Sequence, residues 1–454
     1  MFIDREAEIK TLEECWSSSK FEFAVIYGRR RVGKTELIKE FTKGKRAVYF
    51  LCSDRKPTHN LRKFSEKVCG FTGMPIVYFN DFQDAFDVLT SKTKGRTVIA
   101  IDEFGHLVRR DPGVLSDFQE IVDEKLKRRD FVLVLCGSSI SMMETHVLGH
   151  KSPLYGRTTK HMKVKSFDLH ALEHWFPEIS MEDLIKIYSV TGGVAKYLEF
   201  FSGKSVEKEI ARNFFDPSAF LFGDAARLLS DELRDYSTYV QVLEAIALGY
   251  NRVNEIANYA FVQSKDVFFY LKVLSSLGIV ERVIPIFSPR KAKRGIYEIS
   301  DNYFNFWFKF VSPFQAEVES GFLDAPIKNF HEQFNAYLGK VFERVSHYFL
   351  RGTSLSPFPP TKIGRWWHKD KEIDIVAAND KTGEILFGEC EWKENVDAER
   401  ALRELRDKAS LVDWRKNKRK ERYAIFARSF KEKVERPDLS LFDLGDLERA
   451  LTQR

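Results

Sequence analysis

Cysteine is scarce in this chain. Its five copies, Cys15, Cys52, Cys69, Cys136 and Cys390, are scattered through 454 residues without a C-x-x-C pair. That spacing excludes a disulfide framework and a cysteine-built zinc site, and it reads as reduced thiols in a cytoplasmic protein. Long apolar runs are missing too. None reaches the roughly 20 residues that cross a bilayer, so no membrane partner is expected. The opening MFIDREAEIKTLEE carries charge from its fourth residue, so no secretory signal is expected there. No Pro/Gly/Ser-rich linker appears, so the domains are expected to pack on one another. Charge of one sign is also lacking. Lys and Arg number 72 against 66 Asp and Glu, a net +6 that is too mild to name nucleic acid as partner and leaves local clusters to decide. With 44% hydrophobic and 30% charged residues the composition is that of a soluble globular protein. The length suits about three or four domains.

The most informative stretch is Phe21 to Glu40, FEFAVIYGRRRVGKTELIKE. An apolar strand runs into a glycine-bounded loop and then a helix. Gly28, Gly33, Lys34 and Thr35 fit G-x-x-x-x-G-K-[ST], the phosphate-binding loop. Glycine lets successive backbone N–H groups of Gly28, Arg29, Arg30, Arg31, Val32, Gly33, Lys34, Thr35 and Glu36 curl around phosphates, and the helix aims its positive end at them. Lys34 would reach the β- and γ-phosphates of ATP, and the Thr35 hydroxyl would hold Mg²⁺. A second acidic element is expected at a neighbouring strand end. Thr97 to Phe104, TVIAIDEF, supplies Asp102 as a Mg²⁺ ligand and Glu103 as general base. The third apolar run, Phe131 to Cys136, ends in Gly137, Ser138 and Ser139, either γ-phosphate sensors or helix-capping serines. In SPLYGR, Arg157 either reaches a γ-phosphate, within its own subunit or in a neighbouring copy of a homo-oligomer, or pairs with a surface carboxylate.

The pattern then changes. Alternation of strand and helix ends near residue 165, and residues 166–226 read as a helical lid with Thr191, Gly192 and Gly193 ahead of an apolar helix. In 227–313 three helices, Tyr239–Leu248, Val253–Tyr259 and Ser264–Leu277, precede two strands, Ile279–Val283 and Gly295–Ile299. Between the strands lies SPRKAKRG, with Arg290, Lys291, Lys293 and Arg294 at the tip. This is a winged-helix order, and the basic tip suits DNA phosphates. The third helix has few Arg or Lys residues with which to read bases. DNYFNFWFKFVSP, Asp301 to Pro313, is expected to bury as a connecting helix.

The last segment, 314–454, holds a second set of acids. A helix over Phe330–Leu350 carries Glu343. The strand Lys371–Ala377 puts Glu372 and Asp374 on one face, and the strand Glu384–Lys393 does the same for Glu389, Glu391 and Lys393. Carboxylates grouped with a lysine are what a metal-dependent nuclease uses to hold Mg²⁺ against a phosphodiester and orient water. The alternative is a charged, solvated sheet face. Arg415 to Arg422, RKNKRKER, adds a run of phosphate contacts or a solvated loop.

With YGRRRVGKTEL, VIAIDEF, CGSS, SPLYGR and TGG in this order, the first half resembles the archaeal ATPase family, among the AAA-related signal-transduction ATPases and near the replication-initiator type. FIDREAEIKTL is similar to that family's opening helix, which implies that Arg5 and Glu6 lie close to the adenine. Where the family has proline after the paired glycines, this chain has Val194 and Ala195. The last segment resembles the PD-(D/E)xK nuclease-like domain that accompanies many of these ATPases. Asp374 and Glu389 match the motif's acids and Glu343 the acid of the preceding helix, which implies a metal site. Two residues after Glu389, at the motif's lysine position, stands Glu391; Glu391, Trp392 and Lys393 spell E-x-K two residues later. The resulting expectation is an α/β chain with four domains: a P-loop NTPase parallel sheet (1–165), a helical lid (166–226), a winged helix (227–313) and an α/β nuclease-like domain (314–454). Its expected activity is that of a Mg²⁺-dependent ATPase acting on DNA, with Glu103, Lys34, Arg157, Asp374, Glu389 and Lys393 as reacting residues and Thr35, Asp102, Glu343, Asp374 and Glu389 at metal. The alternative is a nucleotide-dependent switch whose nuclease-like domain only binds.

Overall fold

A computed structural model describes residues 2–233, 235–289, 295–352 and 355–453. It divides into two compact units, Met1–Phe167 with Val194–Lys196, and Asp168–Gly193 with Tyr197–Arg454. The first border falls two residues from the boundary expected at 165. The boundaries expected at 226 and 313 have no counterpart in this division.

The first unit is built on five strands, β1 (Glu22–Tyr27), β2 (Ala47–Leu51), β3 (Thr97–Asp102), β4 (Phe131–Gly137) and β5 (Lys160–Lys163). All pairings are parallel and the order is β2-β3-β4-β1-β5. Parallel neighbours need crossover helices, so both sheet faces are covered and the strands read as unbroken apolar runs. Strand alternation divides the core. Phe23 and Val25, with Ile99, Ile101, Leu133 and Leu135, pack against Phe64, Phe86 and Phe118. Ala24 and Ile26, with Val98, Ala100, Val132 and Val134, pack against Leu12 and Cys15 of the helix Glu6–Ser17 and Leu37, Ile38 and Phe41 of the helix Lys34–Thr42. This order seats β4 between β1 and β3, so the loops after these three strands meet at the carboxyl edge of the sheet.

In the second unit the helices Ser237–Ala247, Val253–Tyr259 and Ser264–Ser276 precede an antiparallel pair, β6 (Val280–Val283) and β7 (Ile296–Ile299). The tip residues Arg290, Lys291, Lys293 and Arg294 lie outside the described residues. The aromatic segment that follows is helical, and Tyr303, Phe304, Phe306, Trp307, Phe308 and Phe310 are all buried, as their density predicts. A helix of 29 residues, Asp324–Gly352, leads into a mixed sheet. Its strands are β8 (Lys362–His368), β9 (Lys371–Ala378), β10 (Glu384–Glu391), β11 (Lys420–Ala427) and β12 (Leu439–Phe442), in the order β12-β11-β10-β9-β8. β8, β9 and β10 are antiparallel neighbours, whereas β11 runs parallel to β10 after the crossover helix Ala398–Ala409. Among the described residues no helix is long and apolar enough to cross a membrane.

Candidate functional site

The loop after β1 has the backbone its glycines require. Gly28 has φ +153°, and a Cβ there would lie 2.2 Å from the Val164 carbonyl oxygen. Gly33, at φ +95°, caps the helix Lys34–Thr42 in the left-handed region that glycine enters at little cost. Arg31 takes φ +71° without that freedom. The Lys34 ammonium is buried against the loop and donates to the carbonyls of Gly28 and Arg29, both at 2.9 Å. Burial holds its pKa below the usual lysine value.

β3 delivers the acidic partner. The fully buried Asp102 accepts from the Thr35 hydroxyl at 2.6 Å, the Tyr49 hydroxyl at 2.9 Å and the Glu103 N–H at 2.9 Å. Burial and the Asp102 charge push the Tyr49 phenol up, keeping it a hydrogen-bond donor. A hydroxyl and a carboxylate in contact form the all-oxygen set that suits Mg²⁺. Glu103, at φ +52°, accepts from the Ser138 hydroxyl at 2.7 Å and the Ser138 N–H at 3.2 Å. The serine after β4 thus holds the candidate general base.

Other loop residues have different work. Arg5 is buried over the Phe167 ring, 4.4 Å from its centroid, and donates to the carbonyls of Val32 at 3.0 Å and Lys165 at 2.8 Å. It ties the loop to the segment after β5. Glu6 is exposed, and Glu36 pairs with Lys39 at 2.7 Å on the helix surface. The Lys196 N–H donates to the Arg31 carbonyl at 3.3 Å. Arg157 makes the carboxylate pair, donating to Asp123 at 2.6 and 2.9 Å.

The second unit gathers another set of carboxylates. Oxygens of Glu343, Glu372 and Asp374 lie within 4.8 Å of one another. The β9–β10 register pairs Ile375 with Gly388, which carries Asp374 and Glu389 to facing places one residue beyond that pair. Asp374 accepts from the Cys390 N–H at 2.9 Å. Burial, then the neighbouring Asp374 charge, pushes Glu343 up to about 7. Burial, then Glu389, pushes Asp374 up to about 6. Glu389 is also raised, because burial outweighs its pairing with Lys408 at 2.7 Å. Its second oxygen is buried with no hydrogen-bond partner. Crowded buried carboxylates with an unsatisfied oxygen fit a hard divalent cation such as Mg²⁺.

Two expectations give way to the structure. β10 ends at Glu391, because the Lys393 N–H turns back to the Glu391 carbonyl at 2.7 Å, so Lys393 does not continue the strand's alternation. Its amine pairs with Glu391 at 3.1 Å and its side chain is 73% exposed. Within the basic run, Arg419 is spent on structure: its guanidinium holds the carbonyls of Val412, Trp414 and Ala409. Arg415, Lys416, Lys418 and Lys420 are exposed. The helix Ser264–Ser276, expected to offer few Arg or Lys residues for base reading, turns Phe268 and Phe269 outward, 54% and 61% exposed, beside the exposed Lys265 and Lys272. Lys408 escaped sequence reasoning altogether. The only signal was its place in an amphipathic helix that follows an acid-bearing strand.

Near the acids the same unit holds a cavity of about 950 Å³, whose lining includes Lys309, Lys340, Arg344, Arg351, Arg365 and Glu343.

Comparison with known proteins agrees with this architecture. Residues 2–201 match a family model described as an ATPase domain predominantly from Archaea, and residues 307–402 match one described as archaeal and bacterial proteins of unknown function. An uncharacterized protein of Methanocaldococcus jannaschii is 38% identical over 459 residues, spanning 98% of this chain and all of the relative. An uncharacterized ATP-binding protein of the same organism is 48% identical over 46 residues, 10% of this chain and 78% of that protein. Among solved structures, the Walker-type ATPase of Pyrococcus abyssi superposes with a TM-score of 0.53 at 19% identity, covering 68% of this chain and 96% of that one. The glycine loop, the parallel sheet that carries it and a relative matched from end to end place this chain in the archaeal P-loop ATPase family.

Proposed function

We propose that the protein is a cytoplasmic Mg²⁺-dependent ATPase that acts on DNA, with the second unit binding the nucleic acid and cutting it at the Glu343, Asp374 and Glu389 carboxylates. The observation that carries the ATPase reading is the Thr35–Asp102 hydrogen bond of 2.6 Å, which joins the phosphate loop to the acidic strand end. When ATP binds, Lys34 exchanges the Gly28 and Arg29 carbonyls for phosphate oxygens, and Thr35 and Asp102 are the residues that would hold Mg²⁺. Mg²⁺ held there would supply charge neutralisation on the phosphates. Glu103 then takes the proton of the attacking water, once Ser138 releases its carboxylate.

The DNA reading is supported by the clustered carboxylates and by the cationic cavity that contains Glu343. Phosphodiesters are attracted by the cavity's lysines and arginines regardless of sequence. The outward Phe268 and Phe269 suit stacking on unpaired bases better than reading of a major groove. A second reading, a nucleotide-dependent switch whose acidic site binds without cutting, is favoured by one observation: Glu391 stands at the motif's lysine position.

The test is ATP turnover and DNA binding by the native chain beside Lys34→Ala. The proposal expects turnover to vanish in the variant while salt-sensitive DNA binding persists. Unchanged turnover overturns the assignment of the phosphate loop. Binding of ATP analogues that changes assembly, with no DNA cut under Mg²⁺ or Mn²⁺, selects the switch.

A further inference from the structure

We infer that Lys408, rather than Lys393, supplies the ammonium group of the acidic site, and that it binds the scissile phosphodiester there. This rests on the nuclease reading proposed above. The strand position for such a lysine is held by Glu391, and Lys393 lies past the end of β10 with its amine on Glu391. Lys408 comes from a different element. Its amine stands 2.7 Å from Glu389 Oε1, and its side chain is only 25% exposed.

The fold explains why this helix can deliver it. On β10, Glu389 continues the alternation of Ile385 and Phe387, and on β9 Asp374 continues that of Val376 and Ala378. Those four apolar residues share a core cluster with Ala401, Leu402, Leu405 and Ala409 of the helix Ala398–Ala409. Lys408, in that helix's last turn, therefore reaches the sheet face that bears both acids. Other cations on these carboxylates are differently engaged. Arg365 is shared among Glu298, Glu372 and, at 3.9 Å, Glu343, and Lys340 pairs with Glu343 from the same helix with 61% of its side chain exposed.

The Lys408–Glu389 pair leaves both partners with capacity. A lysine ammonium has three N–H donors, of which Glu389 takes one. Glu389 keeps a buried second oxygen without a partner, available to a cation. Lys408 can thus hold a non-bridging phosphate oxygen while Glu389 holds the metal. In the hydrolysis a water oxygen bonds to phosphorus as one P–O ester bond breaks; the water's proton passes to solvent, and the leaving alkoxide takes a proton from solvent. Lys408 remains protonated throughout and stabilises the added charge on phosphorus oxygens.

The experiment uses the full chain with Mn²⁺ and end-labelled branched DNA, and compares the native protein with Asp374→Ala, Lys408→Ala, Lys393→Ala and the double variant Lys408→Ala/Glu391→Lys. Mn²⁺ binding is measured by calorimetry on each. Lys408→Ala is expected to cut roughly a hundred-fold more slowly with Mn²⁺ affinity little changed. Lys393→Ala is expected to cost far less, and the double variant to regain most of the rate by restoring an amine to the strand. If Asp374→Ala is dead but Lys408→Ala cuts at the native rate, the Lys408 role falls and the nuclease reading stands. A Lys408→Ala chain that loses Mn²⁺ binding along with cleavage, or a double variant that regains nothing, also overturns it. A native chain that cuts nothing removes the nuclease reading and this inference with it.

Discussion

The two polar sites of this molecule solve the problem of buried charge in opposite ways. In the first unit each group is answered by a neighbour: Asp102 by Thr35, Tyr49 and the Glu103 amide, Glu103 by Ser138, and Lys34 by two loop carbonyls. In the second unit Glu343, Asp374 and Glu389 crowd together, their pKa values are raised, and one Glu389 oxygen has no partner. A closed hydrogen-bonded network is ready to exchange partners for a nucleotide. In the crowded acidic cluster Lys340, Lys408 and the Cys390 amide offset only part of the charge, and protons or a metal would relieve the rest.

The largest expected effect that sharpens this contrast comes from Lys34→Ala. It should lower ATP turnover by about a thousand-fold, while Mn²⁺ binding at the acidic site, read by calorimetry, stays at the native value. Loss of both would make the two sites one system. Gly28→Ala comes next. A Cβ 2.2 Å from the Val164 carbonyl must move backbone, so a loss of roughly 1–3 kcal/mol in denaturant unfolding and weaker ATP binding are expected. Native stability and affinity in that variant would show that the close approach is not needed.

The smallest effect tests the acidic cluster. Glu343 has a folded pKa of about 7 against an ordinary 4.5, so between these values the folded chain binds more protons than the unfolded one. Its contribution to stability is present at low pH and is lost as pH rises through about 7. In metal-free protein, melting temperatures of the native chain relative to Glu343→Gln should therefore fall as pH rises from about 5 to about 8. A difference between the two that does not vary with pH contradicts the crowded-acid account.

The contrast also explains what could be read from sequence. The nucleotide site was legible because its chemistry lies in short contiguous motifs, each fixed by one loop at one strand end. Gly28 to Thr35 and Asp102–Glu103 needed only the strand–loop–helix context to be placed. The three helices and hairpin of 237–299 were legible from periodicity to within two residues at every described edge. The acidic site was half legible. Strand alternation puts Glu372 and Asp374 together, but it continues through Lys393 only if the strand does, and a backbone turn ends β10 first. Lys408 stands 19 residues from its partner, on a helix whose docking no local pattern states. Arg419 misled for a related reason, since a cation inside a basic run looks solvated until the turn around it closes over its guanidinium.

The most direct test of two separable chemistries is to measure, on the same preparations, ATP turnover and Mg²⁺- or Mn²⁺-dependent cleavage of single-stranded, duplex and branched DNA by the native chain and Asp374→Ala. The account predicts that the variant loses cleavage and keeps ATP turnover. Cleavage that survives Asp374→Ala, or a native chain that turns over ATP and binds DNA yet cuts none of the panel, would contradict it.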